Sequence, residues 1–339
     1  MHSTASASVL ADTAQALAPG EFVELATEGL TRDLMTAGGC SSPVTSFSDN
    51  GVWDAPRKAF LFVGGPHGCP HVFLRYSEAD NSWSTLPTYS DRATHGYDHT
   101  TIDIDTNTLY FRTHSKGGIH SYDLEAGTWQ VDALEPPAMK SVQVSGGLEY
   151  FPELGRLVLM NYGGQGGLLA HTGKKWRREG SEEMGTRANF IEYNPNHGVL
   201  LFGGGWIAPK TFSPKAYLMN GDGKIKATAE APVGLGITAS IITVDPVSGR
   251  FLVFANRGVF AEYDPEGDAW RTLDRRVPFL ETHYQRGKAS VATVAAPIPE
   301  YGVMMFLQYL GSGKGGPKAW LYRHCTDGPD CAGAVAEND

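Results

Sequence analysis

The stretch HGYDHTTIDIDTNTLYFRTHSKGGIHSYDLEAGTWQVDAL, residues His95 to Leu134, reads as four short strands joined by tight turns. His99 to Ile104 alternates apolar and polar side chains, the pattern of a strand with two unlike faces. The polar run Asp105 to Thr108 turns the chain into Leu109 to Arg112, and Gly117-Gly118 reverses it into Ile119 to Asp123. A second polar turn, Glu125-Ala126-Gly127, leads into Trp129 to Leu134.

The same grammar returns along the chain. Tyr76 and Trp83, Tyr122 and Trp129, and Tyr263 and Trp270 share one spacing, and the steps from Trp83 to Trp129 to Trp176 have the length of a propeller repeat. Trp270 falls two such steps later, so a blade without its Trp is expected between them, with Tyr217 to Ile225 in that place. An apolar second-strand run occurs six times: at Ala59 to Val63, Leu109 to Phe111, Leu157 to Met160, Val199 to Phe202, Phe251 to Phe254 and Val303 to Phe306. Tyr122-Asp123 followed by Trp129 resembles the end of a kelch-type repeat. The expected fold is all-β, a single β-propeller of four-stranded blades, six in number, with a seventh hidden in residues 28–45 as the alternative.

The chain has 339 residues, 41% hydrophobic and 19% charged, with 41 glycines, which suits an all-β protein with many tight turns. Length alone would allow two domains, but the repeats argue for one. A net charge of −9 disfavours a nucleic-acid partner, and no apolar run approaches a membrane span. The start, MHSTASASVLADTAQALAPG, lacks the basic leader and long apolar core of a signal peptide. The four cysteines lean the compartment towards secreted or periplasmic, with cytoplasmic as the alternative. Cys325 and Cys331 are spaced for a small disulfide loop.

Residues 1–20 are expected to form an N-terminal segment with a short helix within 6–18, Val9, Leu10, Ala14 and Leu17 on one face. The propeller should occupy 21–324, and 325–339 a tail. Blades are expected at about 41–90, 91–137, 138–183, 184–234, 235–279 and 286–324. The last repeat lacks a fourth strand, so Glu21 to Thr27 is expected to complete it and close the ring against the run Lys318 to His324, removing both open sheet edges.

In a propeller the loops before the first strand and between the second and third share one face beside the channel. Blade 2 places Arg92, His95, His99, His114 and His120 there, a concentration suited to acid/base work, metal ligation or strand capping. The same face should carry Tyr162, Arg187, Trp206, Asn256 and Arg257, then His283, Tyr284, Arg286 and Tyr309. Arg187 opens a channel-lining strand, where it must find a carboxylate or face solvent. His67, Cys69 and His71 offer three zinc-type donors with Cys40 as a fourth; a Cys40–Cys69 disulfide with bystander histidines is the competing reading. No organic cofactor is expected. No Gly-x-Ser-x-Gly elbow or phosphate loop is present.

His99, His120, Tyr162 and Arg187, taken in blade order, resemble the β-propeller polysaccharide lyases of the ulvan-lyase type. That resemblance implies an acidic, uronate-containing polysaccharide as partner and β-elimination as the reaction, with a structural zinc held by His and Cys. Removing the C5 proton of a uronate requires positioned donors to stabilise the charge developing on its carboxylate, a role that suits the Arg187 fork. Tyr162 would serve one proton transfer, and His99 or His120 the other or carboxylate neutralisation. Arg92, His95, His114, Trp206, Arg257, His283, Tyr284, Arg286 and Tyr309 would extend the groove. A non-catalytic propeller binding glycan or protein through the same face is the alternative; a copper-enzyme reading finds no clear ligand set.

Overall fold

A computed structural model of the chain describes residues 8–36, 40, 42–66, 68–89, 95–112, 118–134, 145–161, 167–172, 175–180, 182–208, 211–255, 258–279, 292–311 and 315–326. Six four-stranded sheets follow one another as the repeats require. Blade 1 comprises Val52–Asp54, Ala59–Gly64, Val72–Ser77 and Ser82–Leu86, and blade 2 comprises Thr100–Asp103, Thr108–Arg112, Ile119–Asp123 and Thr128–Leu134. Blade 3 is built from Leu148–Phe151, Arg156–Asn161, Gly167–Thr172 and Lys175–Arg178. Blade 4 follows with Asn189–Asn194, Val199–Gly204, Ala216–Asn220 and Ile225–Ala227, and blade 5 with Ser240–Val244, Phe251–Ala255, Val259–Asp264 and Ala269–Leu273. Blade 6 supplies Ala292–Ile298, Val303–Gln308 and Lys318–Tyr322, and takes its fourth strand, Phe22–Glu24, from the other end of the chain. The first strands of successive blades adjoin in a closed ring.

The recurring Tyr–Trp spacing is a cross-strand pair. Tyr76 faces Trp83, Tyr122 faces Trp129 and Tyr263 faces Trp270 between the third and fourth strands, with ring centroids 5.4, 5.0 and 4.8 Å apart. Such pairs add to burial because the rings meet tilted or edge to face. Blade 3 uses His171 against Trp176, and blade 4 replaces the pair by Met219 and Ile225. In blade 6 the pair is split across the closure: Tyr322 faces Phe22, stacked at 4.1 Å. Gly20 N–H donates to Arg323 O at 2.8 Å and Leu25 N–H to Ala319 O at 2.9 Å, extending the closing ladder.

A second regularity lies in the turn before each second strand, where Lys58, Asn107, Gly155, Gly198, Gly249 and Gly302 all take positive φ between 48° and 68°. One left-handed residue there sends the chain straight back along the first strand, which Gly or Asn does without strain. The cores lie between blades: Val63 and Phe73 of blade 1, for example, pack with Leu109, Phe111 and Tyr122 of blade 2.

The N-terminal helix is Val9–Ala16, capped by the Ser8 hydroxyl, which accepts from Ala11 N–H at 3.0 Å. Leu10, Ala14 and Leu17 are buried, while Val9, expected on the same face, is exposed. Arg323 donates to the carbonyls of Ala14, Leu17 and Tyr301, tying the helix end to blade 6.

Among the described residues of 28–45 there is no seventh blade but a short helix, Arg32–Met35. Ser48–Asn50, one residue before the first strand of blade 1, pairs in parallel with the first strand of blade 6, Ser48 opposite Ala292 and Asn50 opposite Ala295. A parallel bridge joins Ser48 to Tyr97 as well, so this segment extends the inner edge of blade 1 between blades 6 and 2.

Candidate functional site

The described histidines of blade 2 are packed into the interior. His95 is buried, with its ring 4.2 Å from that of Phe47 and edge-on to Tyr97 at 5.4 Å. His99 is completely buried between Tyr97 and Phe111. His120 is 1% exposed; its Nδ1 accepts from Asp132 N–H at 2.8 Å, and its ring meets Tyr89 edge-on at 4.4 Å. His99 and His120 lie on either side of the second strand, since His99 O accepts from Arg112 N–H while His120 faces Phe111. Two strand spacings put their backbones roughly 10 Å apart. They are core residues, not a surface pair.

Arg187 behaves differently. It is exposed, and its guanidinium lies 4.5 Å from the centre of the Trp206 ring. Trp206 N–H donates to Arg187 O at 2.9 Å, and the indole meets Phe212 edge-on. Of the two fates expected for Arg187, a carboxylate partner or solvent, the structure gives solvent with an aromatic support. Beneath it Tyr97, Ala188 and Ile237 form an apolar cap, joined by Phe47 and Phe212. Phe47, Tyr97, Ala188 and Thr238 all hold positive φ, from 46° to 78°. Left-handed backbone in residues of these types costs on the order of 1 kcal/mol each and gathers at functional surfaces.

Tyr309 is fully buried and does not reach the groove. Arg92, His114, Tyr162, Asn256, Arg257, His283, Tyr284 and Arg286 lie outside the described residues, as does His67. Cys40 and Cys69 are joined in a disulfide, the competing reading of that loop, so neither sulfur is present as the thiolate that the four-donor zinc set needs. His71 is buried against Tyr89 and Phe111. Cys325 is disulfide-bonded too.

A second group was missed by sequence reasoning. Asp49 before blade 1, Asp98 before blade 2, Glu149 in blade 3 and Glu192 in blade 4 are brought together inside the ring. Burial raises the pKa of each, and within the group Asp98 raises Asp49 and Glu149, while Glu149, Asp98 and Asp49 raise Glu192. The Asp98 carboxyl is pushed up to about 7 by burial, although it accepts from Ile191 N–H at 2.7 Å and Asn50 Nδ2 at 3.2 Å. Glu149 accepts from the Thr101 hydroxyl and from Tyr150 N–H. The one available signal was the Glu-Tyr dipeptide shared by the first strands of blades 3 and 4, Glu149-Tyr150 and Glu192-Tyr193. Arg112 was missed as well: buried, its guanidinium donates to Gly146 O at 2.9 Å and burial lowers its pKa to about 10.

No protein-family model and no curated protein matches the chain. Solved structures that resemble it include a chain from the crystal structure of a nidogen/laminin complex, at 11% identity and a TM-score of 0.48, covering 68% of this chain and 80% of that one. TolB from Acinetobacter baumannii is similar at 10% identity and a TM-score of 0.47, over 67% of this chain and 54% of that one. The class of the protein, a closed six-bladed β-propeller, rests on its own sheets. Among the described residues no helix is long and apolar enough to cross a membrane.

Proposed function

We propose that the protein binds an acidic, uronate-containing polysaccharide through its channel face, with Arg187 engaging a sugar carboxylate and Trp206 holding the guanidinium in place. The carrying observation is the exposed Arg187–Trp206 stack over a strained, apolar cap. Stacking fixes the guanidinium plane without using its N–H donors, which leaves the fork for a planar carboxylate. The overall negative charge makes such a local cation the selective element, because the remaining surface repels a polyanion.

Cleavage of the bound chain by β-elimination is the finer reading. It rests on the resemblance of His99, His120, Tyr162 and Arg187 to the ulvan-lyase type. With both histidines buried, it assigns carboxylate neutralisation to Arg187 and proton transfer to Tyr162. The experiment is calorimetric binding of the full chain to ulvan, other glucuronate polymers and a neutral glycan, with ultraviolet absorbance followed for the unsaturated product. A hydrogen-bonded charge contributes about 1.5–3 kcal/mol, so Arg187→Ala should weaken uronate binding about 10- to 100-fold. Equal affinity for the neutral glycan, or an unchanged Arg187→Ala, refutes the binding reading; tight binding with no chromophore refutes the lyase.

A further inference from the structure

On the face of the ring opposite Arg187, the turns between first and second strands surround a cavity of about 440 Å³. Its walls are apolar, made by Trp53, Tyr150, Tyr193 and prolines such as Pro152 and Pro195, drawn from blades 1, 3 and 4. Its inner end reaches the first strands, where Glu149 and Glu192 line it. The other acid of the wall that is buried, Asp103, is used locally: its carboxylate accepts from Asp105 N–H, Thr106 N–H and the Thr106 hydroxyl, holding its own turn.

Glu192 is in another position. It is only 8% exposed, and no hydrogen bond to its carboxylate is found among the described residues. The charges that act on it are Glu149, Asp98 and Asp49, all acidic. A buried carboxylate without a donor or counter-charge is costly, and a cation arriving from the cavity removes that cost. The walls indicate which cation. Among the described residues no three His, Cys, Asp or Glu side chains converge as metal ligands, whereas aromatic faces and proline rings suit an ammonium carried on an apolar stem.

We propose that this cavity binds a small organic amine, its ammonium on Glu192 and its hydrocarbon stem against Trp53, Tyr150 and Tyr193. The site is independent of the polysaccharide face.

The test is calorimetric titration of the full chain with hexylamine, 1-hexanol and calcium chloride in parallel. Hexylamine should bind, hexanol at least tenfold more weakly, and calcium not measurably. Glu192→Gln keeps the shape and removes the charge, and should weaken hexylamine at least tenfold. Circular dichroism confirms that the variant folds, and Tyr193→Ala provides a second probe through the wall, with a several-fold loss. Arg187→Ala, on the far face, should leave amine affinity unchanged. Equal affinity for hexanol, tighter binding of calcium than of hexylamine, or a folded Glu192→Gln that retains hexylamine affinity each overturns the proposal.

Discussion

Replacing Phe22 by alanine tests the closure of the ring at one side chain. Phe22 stacks on Tyr322 at 4.1 Å and meets Phe254, Phe279 and Phe306 with centroids 6.3, 5.7 and 6.3 Å away. Truncating a core phenylalanine costs about 3–5 kcal/mol through lost transfer energy and the cavity left behind. Phe22 is half-buried, which scales that figure down, while the lost stack adds about 0.5–1.5 kcal/mol. The expected cost is about 2–4 kcal/mol. Glu24→Ala on the same strand serves as the control: its pair with Lys318 is exposed and should contribute at most about 1 kcal/mol. Urea denaturation of the three proteins gives the stabilities, and hydrogen exchange at Leu321 and Arg323, whose N–H groups face the closing strand, reports opening of the closing ladder. If Phe22→Ala costs no more than Glu24→Ala, and exchange at blade 6 does not rise above that of blade 5, the aromatic closure does not hold the ring.

Two further outcomes test the interior and the Cys40–Cys69 disulfide. Burial raises the Asp98 pKa from the ordinary 3.8 to about 7, so the folded state favours the protonated acid. Its contribution to stability is full below about pH 4 and is lost as pH rises to about 7, so Asp98→Asn should flatten the fall in urea stability between pH 4 and pH 7.5. A slope in that variant equal to the wild type would show that Asp98 is not the group responsible. Cys40→Ser with Cys69→Ser opens a disulfide of sequence separation 29 and should cost about 2–4 kcal/mol. Elemental analysis of the unmodified protein accompanies it, because zinc near one per chain, together with free thiols in peptide mapping, would replace the disulfide by the metal site.

Much of the candidate site was illegible for a single reason. The order of the histidines along the chain placed them at the channel edge, and His95 and His99 do precede the first strand of blade 2, Thr100–Asp103. Whether they face solvent depends on the rings packed against them, Phe47 on His95 and Phe111 on His99. No local pattern announces that packing. Arg187 could be read further, because an arginine opening an inner strand has few fates, yet its stack on Trp206 comes from the fold. The four interior acids were harder still: each sits in a different segment, and only closure of the ring sets them against one another.

The sequence by itself determined the blade, the number of blades and the closing strand. Strand alternation, turn chemistry and the Tyr–Trp cross-strand pair act over a few residues, and their repetition leaves little else for the chain to build. Even the missing fourth strand of blade 6 could be supplied by counting. Only the tertiary structure decided that the described blade 2 histidines are core, that Cys40 meets Cys69, and that Glu192 lies at the end of a cavity with no hydrogen-bond partner among the described residues. Those are contacts between distant segments, set by the ring's interior volume, and a linear pattern does not encode them.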